Sequence, residues 1–576
     1  MGAPCALGWA GIQTVSPHLP KSQRADWPPL TLFPTSCPPA DCTECSHVDE
    51  RGRLRENATG FQNEAFIKHI ADTLNASGLQ ALGYTAVNMD SLWNLPTRDA
   101  AGDLVPDPAL WPSGFPYIVK YVHQLGLGFG VYGDRGTLDC NRNPGQLGHE
   151  TADANFFARM ELDWFKSDSC YASPDPDTAF QEYATMRDAL NKTGRAIWFA
   201  LCGWESYYAW KPPGEGKSLG NSWRVNMDTG GGWGPIMANV NAMLYGGPNG
   251  TSLAPYGRPG GWNDMCLLLN PGMGSGASLM TPERSRSQFG LHCIFNANML
   301  LTGNLSALLP STLAVWGNAE AVAINQDTAH TFLQLPLEPQ PAGQQPALPA
   351  PAALAPARLA ECGGEPSAQN WTWDAPAPGF LTNAASRQCL NVEACGSTIV
   401  YDGCSTTGGT CAGPDKYSNE QWALDASSGA LVSALPGGHC AAANADNTLA
   451  LSPDCTPPLP PAKVWRYTAA TGELVNANGL CLTVSAPAPP PSLASLLVGR
   501  QLQDGSWALL ALNNGNASAT LVCGAACLGA MGFIPGQALA VRDVWARADL
   551  PPTTAVRLAM PTAAAGGSAF WRVSRA

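Results

Sequence analysis

The chain has 576 residues, 45% of them hydrophobic and 13% charged, with a formal net charge of −13, 60 Gly and 50 Pro. That length exceeds what one hydrophobic core serves, so about two to four domains are expected. Abundant Gly and Pro beside a normal apolar fraction read as loop-rich rather than disordered. Net negative charge without a Lys/Arg run excludes nucleic-acid binding through phosphates, and no run of about 18 apolar residues offers a membrane span.

From residue 1 to 335, short β-branched or aromatic runs ending in polar residues alternate with helical patterns. Strands are predicted at Ala6–Trp9, Tyr84–Asp90, Gly128–Asp134, Asp163–Asp168, Ile197–Gly203, Ser222–Asp228, Gly260–Met265 and Asn298–Asn304. Helices are predicted at Asn63–Ser77, Phe115–Leu125, Ala152–Met160, Thr178–Asn191, Gly234–Leu244 and Thr281–Phe295. Eight strands with intervening helices predict a (β/α)8 TIM barrel, whose working face is the C-terminal end of the strands. Asp90, Asp134, Asp168, Asp228 and Asp264 each close one strand, which on a barrel makes a ring of acids.

The stretch DWFKSDSC, Asp163–Cys170, is the centre of this pattern. Alternation along a strand puts Trp164, Lys166 and Asp168 on one face and Phe165 and Ser167 on the other. A Lys and an Asp two apart at a buried strand end are costly unless paired or used. On these eight residues alone, a structural ion pair and a working site stand as equal alternatives.

Pro336–Arg358 is Pro/Ala-rich and reads as a semi-stiff linker. Residues 359–486 carry an internal repeat that aligns from Trp371, Trp422 and Trp465, spaced 51 and 43 residues apart. Cys389, Cys440 and Cys481 hold the same place in each copy, and Cys404 and Cys455 follow the first two. The segment before the first copy supplies the missing half-repeat. The expected pairs are therefore Cys389–Cys404, Cys440–Cys455 and Cys362–Cys481, with Cys395 and Cys411 left to pair together. After a second Pro-rich link at Ala486–Ser492, residues 493–576 alternate apolar and polar and predict an antiparallel β-sandwich.

Nineteen Cys, eight of them between Cys362 and Cys481, sit beside only eight His and form no zinc-like spacing, so a disulfide framework is expected and no metal. No Gly-rich loop opens a dinucleotide fold, and no cofactor is implied. Seven N-x-S/T sequons, at Asn57, Asn75, Asn191, Asn249, Asn304, Asn370 and Asn516, favour the secretory route. Met1–Ala10 lacks a basic start, apolar core and cleavage site, so this reading predicts that the true N-terminus lies upstream.

The repeats carry CLNV at Cys389–Val392, CLTV at Cys481–Val484, QNW at Gln369–Trp371 and EQW at Glu420–Trp422. In these motifs the segment resembles the ricin-type β-trefoil lectins. The acidic position that holds sugar in that family is Asn391, Ala442 or Thr483 here. The resemblance implies a β-trefoil fold and a possible glycan-binding role.

Two carboxylates that face one sugar can cleave a glycosidic bond, one ionised to attack the anomeric carbon and one protonated for the leaving group. Lys166 favours the charged form of Asp168, making it the better nucleophile. Asp228 is the candidate acid; Arg224 lowers its pKa while ionised Asp168 raises it, and the sequence leaves that balance open.

The barrel motifs are LGW (Leu7–Trp9), GVYGDRGTLDC (Gly130–Cys140), DWFKSDSCY (Asp163–Tyr171), LNKTGRAIWFALCGW (Leu190–Trp204), SWRVNMD (Ser222–Asp228), GGWND (Gly260–Asp264) and AINQD (Ala323–Asp327). In order and spacing these resemble glycoside hydrolase family 27, the α-galactosidase and α-N-acetylgalactosaminidase group, over roughly residues 5–335 and 493–576. The resemblance implies a barrel over 1–335, a C-terminal sandwich over 493–576, and a carbohydrate substrate. It implies Asp168 as nucleophile and Asp228 as acid/base of a retaining double displacement. It further implies sugar contacts from Asp90, Tyr132, Lys166 and Arg224, with Ser91, Gly203, Tyr207, Trp262 and Asp264 as further candidates. Disulfides Cys140–Cys170 and Cys523–Cys527 follow from the same resemblance, as does a secreted, vacuolar or lysosomal location. The family's paired Asp is here Asp90-Ser91, its ring-stacking aromatic is Ile12, and its frequent Glu after Cys202 is Gly203, with Glu205 two residues on. Cys202 lacks its usual partner, Gly220 standing there, and Cys266 occupies an Asp position. These departures keep α-N-acetylgalactosaminidase or β-L-arabinopyranosidase activity, and a weakly active glycan-binding protein, as alternatives to α-galactosidase.

Overall fold

A computed structural model describes residues 30–33, 62–338, 355–483 and 493–576, apart from short stretches at 174, 212–214, 274–277, 303–309, 364–368, 374–377, 384–387, 393–397, 404–419, 436, 445–446, 470 and 516. The expected first strand at Ala6–Trp9, with Ile12, lies outside these residues.

The N-terminal half is a TIM-barrel-like sheet of parallel strands: β1 Leu30–Phe33, β2 Ala86–Asn88, β3 Gly128–Asp134, β4 Trp164–Asp168, β5 Trp198–Leu201, β6 Ser222–Arg224, β7 Trp262–Asp264, β8 Leu267–Leu268 and β9 Met299–Thr302. β1 pairs in parallel with both β2 and β9. Leu30–Phe33 is thus a stave that the sequence reading did not assign. β7 and β8 are two pieces of one stave broken at Met265–Cys266, where Cys266 takes φ 67°. β7 bonds to β6 and β8 bonds to β9, so the two ends of the strand order are neighbours in the chain, as in a TIM-barrel-like domain.

The helices follow from local sequence. α1 (Glu64–Ala76) starts where Asn63 accepts from the Phe66 N–H, and it buries Ile67, Ile70, Ala71 and Leu74, a single helical stripe. α2 is Phe115–Gln124 and α3 is Glu150–Arg159. α4 (Pro176–Lys192) has Asp175 as its cap and Pro176 in its first turn, and it buries Phe180, Tyr183, Met186 and Leu190. A short α5 (Gly216–Leu219) and α6 (Trp233–Tyr245) precede α7 (Pro282–Phe295), α8 (Pro310–Trp316) and α9 (Ala319–Gln326).

Alternation along β4 is realised as expected. Phe165 stacks outward between Phe157 and Phe199, while Trp164 turns inward to pack with Trp198, Ala200 and Trp262. The apolar plug inside the barrel therefore lies below Lys166 and Asp168 and drives them to its C-terminal rim.

α7 is buried on nearly every side because the C-terminal β domain covers its outer face. Ser287 donates to the Gly566 carbonyl at 2.6 Å, and a Cβ on Gly290 would meet Leu510 at 2.3 Å. The main sheet of that domain runs through Ser495–Gln501, Trp507–Asn513, Gly567–Arg575 and Ala538–Asp543, and Ala519–Cys523 pairs with Leu558–Thr562 in a second sheet. Leu333–Gln334 (β10) adds to the edge of the main sheet before the chain leaves for residues 355–483.

Those residues form an antiparallel β module. Its first and last strands, Arg358–Glu361 and Leu480–Thr483, pair with each other. Trp371, Trp422 and Trp465 are all buried. Their indole N–H groups donate to the carbonyls of Leu482, Leu390 and Ala441, each the residue after a repeat cysteine. The repeat in sequence is thus a repeat in hydrogen bonding. The expected linker is shorter than Pro336–Arg358: Ala355–Pro356 already pairs with Val400–Tyr401, and the Glu338 N–H bonds to the Val522 carbonyl.

Disulfides join Cys140–Cys170, Cys362–Cys481, Cys440–Cys455 and Cys523–Cys527. Cys389 is also oxidised. Its expected partner Cys404, and Cys395 and Cys411, lie outside the described residues.

Candidate active site

Each side chain of the site sits at the end of a stave. Asp90 follows β2, Tyr132 lies in β3, Lys166 and Asp168 close β4, and Arg224 closes β6 with Asp228 four residues on. The Lys166 ammonium is 3.0 Å from Asp90 Oδ2 and 3.4 Å from Asp168 Oδ2, and it lies 4.8 Å from the centre of the Tyr132 ring. Asp168 is 5% exposed, and its Oδ1 accepts from the Ser169 N–H at 3.1 Å. One cation therefore holds two carboxylates from the staves on either side of β3. The octet's ion pair is present, and it lies within the candidate site.

Burial pushes the Asp90 carboxyl up to about 6, against the pull of Lys166 and the Ser91 N–H. Burial alone would lower the Lys166 ammonium, but Asp90 and Asp168 outweigh it and hold its pKa well above normal. Asp134 is fully buried between the N–H groups of Gly136 and Cys170, and burial and then Asp168 push its carboxyl well up.

The Cys140–Cys170 disulfide touches the nucleophile candidate: Cys140 Sγ is 3.6 Å from Asp168 Oδ2, and the Tyr132 hydroxyl donates to the same sulfur at 3.0 Å. Asp134, Cys140, Asp168 and Cys170 are clustered tightly enough to resemble a metal cage. Both sulfurs are joined to each other and carry no charge for a cation.

Across the rim the Arg224 guanidinium pairs with Asp228 Oδ1, and its Nε is 3.6 Å from Asp264 Oδ2. Asp228 is half exposed, with 54% of its side chain open to solvent. Partial withdrawal from water raises the Asp228 carboxyl, but Arg224 and then Lys166 outweigh that and hold it below the ordinary range. The balance left open by the sequence thus falls to Arg224. Asp264 also accepts from the Cys266 N–H at 2.7 Å, and it serves Arg224 and the β7–β8 break from a buried position.

Three further candidates have these surroundings. Trp262 is 1% exposed within the barrel plug. Tyr207 packs edge-on to Phe180 of α4 and over Tyr208. A Cβ at Gly203 would lie 2.0 Å from Tyr208 Cε2, so the Tyr208 ring fills the space a side chain there would need. Cys202 is a free buried thiol, as its missing partner requires, and a Cβ at Gly220 would strike Leu201.

The sequence reading passed over one residue. Asp139, on the loop after β3, is 3% exposed and accepts a 2.5 Å hydrogen bond from Ser91 Oγ. Its signal was present as an acid adjoining Cys140 inside a matched motif. At the rim, Cys170, Cys202 and Trp204 belong to the same buried apolar cluster as the core of the β module, so that module abuts the barrel at the ends of β4 and β5.

The family model described as Alpha galactosidase A matches residues 41–327. Alpha-galactosidase 3 of Arabidopsis thaliana is 38% identical over 267 residues, covering 46% of this chain and 57% of that protein. Alpha-galactosidase of Cyamopsis tetragonoloba is 35% identical over 302 residues, covering 49% of this chain and 69% of that protein. The chain therefore spans little more than half of the first relative and about two thirds of the second. The crystal structure of alpha-galactosidase I from Mortierella vinacea superposes with a TM-score of 0.53 at 18% identity, covering 89% of this chain and 93% of that one. This last likeness is one of fold.

Proposed function

The chain belongs to the alpha galactosidase A family, and from that premise we propose that it is a retaining glycosidase that removes terminal α-galactosyl residues. The observation that carries this is the unequal setting of two rim carboxylates. Asp168 is buried against an ammonium and a disulfide, while Asp228 is open to solvent. In the first step Asp168 attacks the anomeric carbon as the bond to the aglycone oxygen breaks, and Asp228 gives that oxygen its proton. In the second, Asp228 takes a proton from water, whose oxygen displaces Asp168. Asp90 and Lys166 hold ring hydroxyls, and Arg224 steadies Asp228.

Turnover of p-nitrophenyl α-galactoside tests the proposal. Asp168→Asn is expected to lower kcat on the order of 10³-fold or more, as loss of a nucleophile does, and NMR is expected to show the α-anomer of galactose first. Activity unmoved by Asp168→Asn, or a β-anomer released first, overturns it. The matching N-acetylgalactosaminide and β-L-arabinopyranoside, run in parallel, report whether the side chain missing at Gly203 has changed the sugar.

For residues 355–483 we infer a β-trefoil, supported by the three equivalent Trp-to-carbonyl bonds and the pairing of first and last strands. An accessory glycan-binding role rests on the motif resemblance alone. Calorimetry of the full-length Asp168→Asn variant with galactosyl oligosaccharides tests it, and a stoichiometry no higher than one removes it. Disulfides in all three parts of the chain support an oxidising compartment, and no helix among the described residues is long and apolar enough to cross a membrane.

A further inference from the structure

We infer that Asp139 and Ser91 form a positioning pair for Asp90, the β3 loop supplying a carboxylate to a strand end that carries a serine. The inference rests on the glycosidase reading and extends it to a residue outside the matching catalytic set.

The geometry is a continuous chain of buried bonds. Asp139 Oδ1 is fixed by the N–H groups of Asn141 and Asn143, each at 2.8 Å, and its Oδ2 accepts from Ser91 Oγ at 2.5 Å. The Ser91 N–H donates to Asp90 Oδ1 at 2.8 Å, and Asp90 Oδ2 receives the Lys166 ammonium that also reaches Asp168. A serine hydroxyl has one proton to give, so bonding to Asp139 fixes its rotamer and with it the turn that aims Asp90. Asp139 is 3% exposed, and no Lys or Arg pairs with it among the described residues. A buried carboxylate without a cation is costly, and a purely structural cap on this loop would be served as well by Asn or Ser. Asp139 also adjoins Cys140, whose sulfur touches both Asp168 and Tyr132. A shift of this loop therefore reaches the pocket from two sides.

A positioning role is separable from a structural one because it acts on substrate binding. Loss of folded protein lowers apparent kcat and leaves KM alone, whereas a misaimed Asp90 raises KM. We expect Asp139→Ala and Ser91→Ala each to raise KM for p-nitrophenyl α-galactoside about tenfold or more with kcat within about threefold. Exchanging the pair, Ser91→Asp with Asp139→Ser, keeps the hydrogen bond with its ends reversed and is expected to return KM to within about threefold of the parent. An unchanged KM in Asp139→Ala overturns the inference, as does an exchange variant that keeps the parent's circular dichroism and melting but binds no better than the single variant. Should Asp139→Ala fail to fold, Ser91→Ala and the exchange variant carry the same test. Asp168→Asn, run alongside, tells the two readings apart. A parent without Asp168-dependent turnover removes both, and a competent parent whose KM ignores Asp139 removes this one alone.

Discussion

Lys166→Met is the sharpest test of the electrostatics at the barrel rim. The substitution keeps most of the apolar stem and removes the one cation that stands between Asp90 and Asp168, at 3.0 and 3.4 Å. Removing one partner of a buried ion pair costs about 3–5 kcal/mol, because the remaining charge has lost its compensation. The cost depends on pH in a definite direction. Asp90 has a folded pKa raised to about 6, so its stabilising contribution is complete below the unfolded value near ~4 and is lost as pH rises to about 6. Without Lys166 the folded pKa rises further, and the variant goes on losing ~1.4 kcal/mol per pH unit beyond the point where the parent has levelled off. The destabilisation should therefore be larger at pH 7.5 than at pH 5, by up to about 2 kcal/mol. At ~2–4 °C per kcal/mol for a domain of this size, calorimetry should show the barrel transition lowered by roughly 6–20 °C at pH 7.5 and by clearly less at pH 5. An equal loss at both values, or a loss under about 2 °C at pH 7.5, would refute the view that Lys166 neutralises Asp90.

Two further outcomes follow from the same rim. With Asp228 held below the ordinary carboxylate range by Arg224, its protonated fraction falls about tenfold per pH unit, so kcat/KM should rise at least about tenfold from pH 7 to pH 5; a flat profile would remove Asp228 as the acid. Gly203→Ala should overpack Tyr208 and cost roughly 1–3 kcal/mol, and adding Tyr208→Ala should lose less than the sum of the two single changes. Additivity within about 0.3–0.5 kcal/mol would show that Tyr208 does not fill that space.

Most of the barrel was legible because its signals are local. The run Gly128–Asp134 is a strand from end to end, and β4 alternates as its sequence requires. The predicted helices agree with the observed ones to within a few residues, since Asn63, Asp175 and Thr281 cap them with their own side chains. What the sequence concealed depends on long-range packing. Leu30–Phe33 lies between Pro29 and Pro34, which read as loop, and only its pairing with β2 and β9 defines it as a stave. The edge-on packing of Tyr207 against Phe180 likewise depends on the turn after β5. Asp139 was an unremarked acid until the β3 loop folded back onto Ser91, 48 residues away in the chain. The competition between Arg224 and Asp168 for the proton of Asp228 was likewise a question of distances, and composition could not rank them.

The charges of the rim bear directly on how it would accelerate glycoside cleavage. Six carboxylates, those of Asp90, Asp134, Asp139, Asp168, Asp228 and Asp264, face two cations, Lys166 and Arg224. Burial lets three of the six, Asp90, Asp134 and Asp139, retain protons more readily than free carboxyls do. That lowers the cost of crowding so many acids on one barrel end. The residual field is still negative, and the α-galactoside proposed as substrate is neutral. A neutral sugar gains little from such a field, whereas the oxocarbenium-like transition state, in which the anomeric carbon turns positive, gains a great deal. The two cations are placed so as not to cancel this: Lys166 is held between Asp90 and Asp168, and Arg224 is taken up by Asp228 and Asp264. In the proposed mechanism the strand-end acids act together, Asp168 supplying the bond to carbon while the others supply the potential in which it forms.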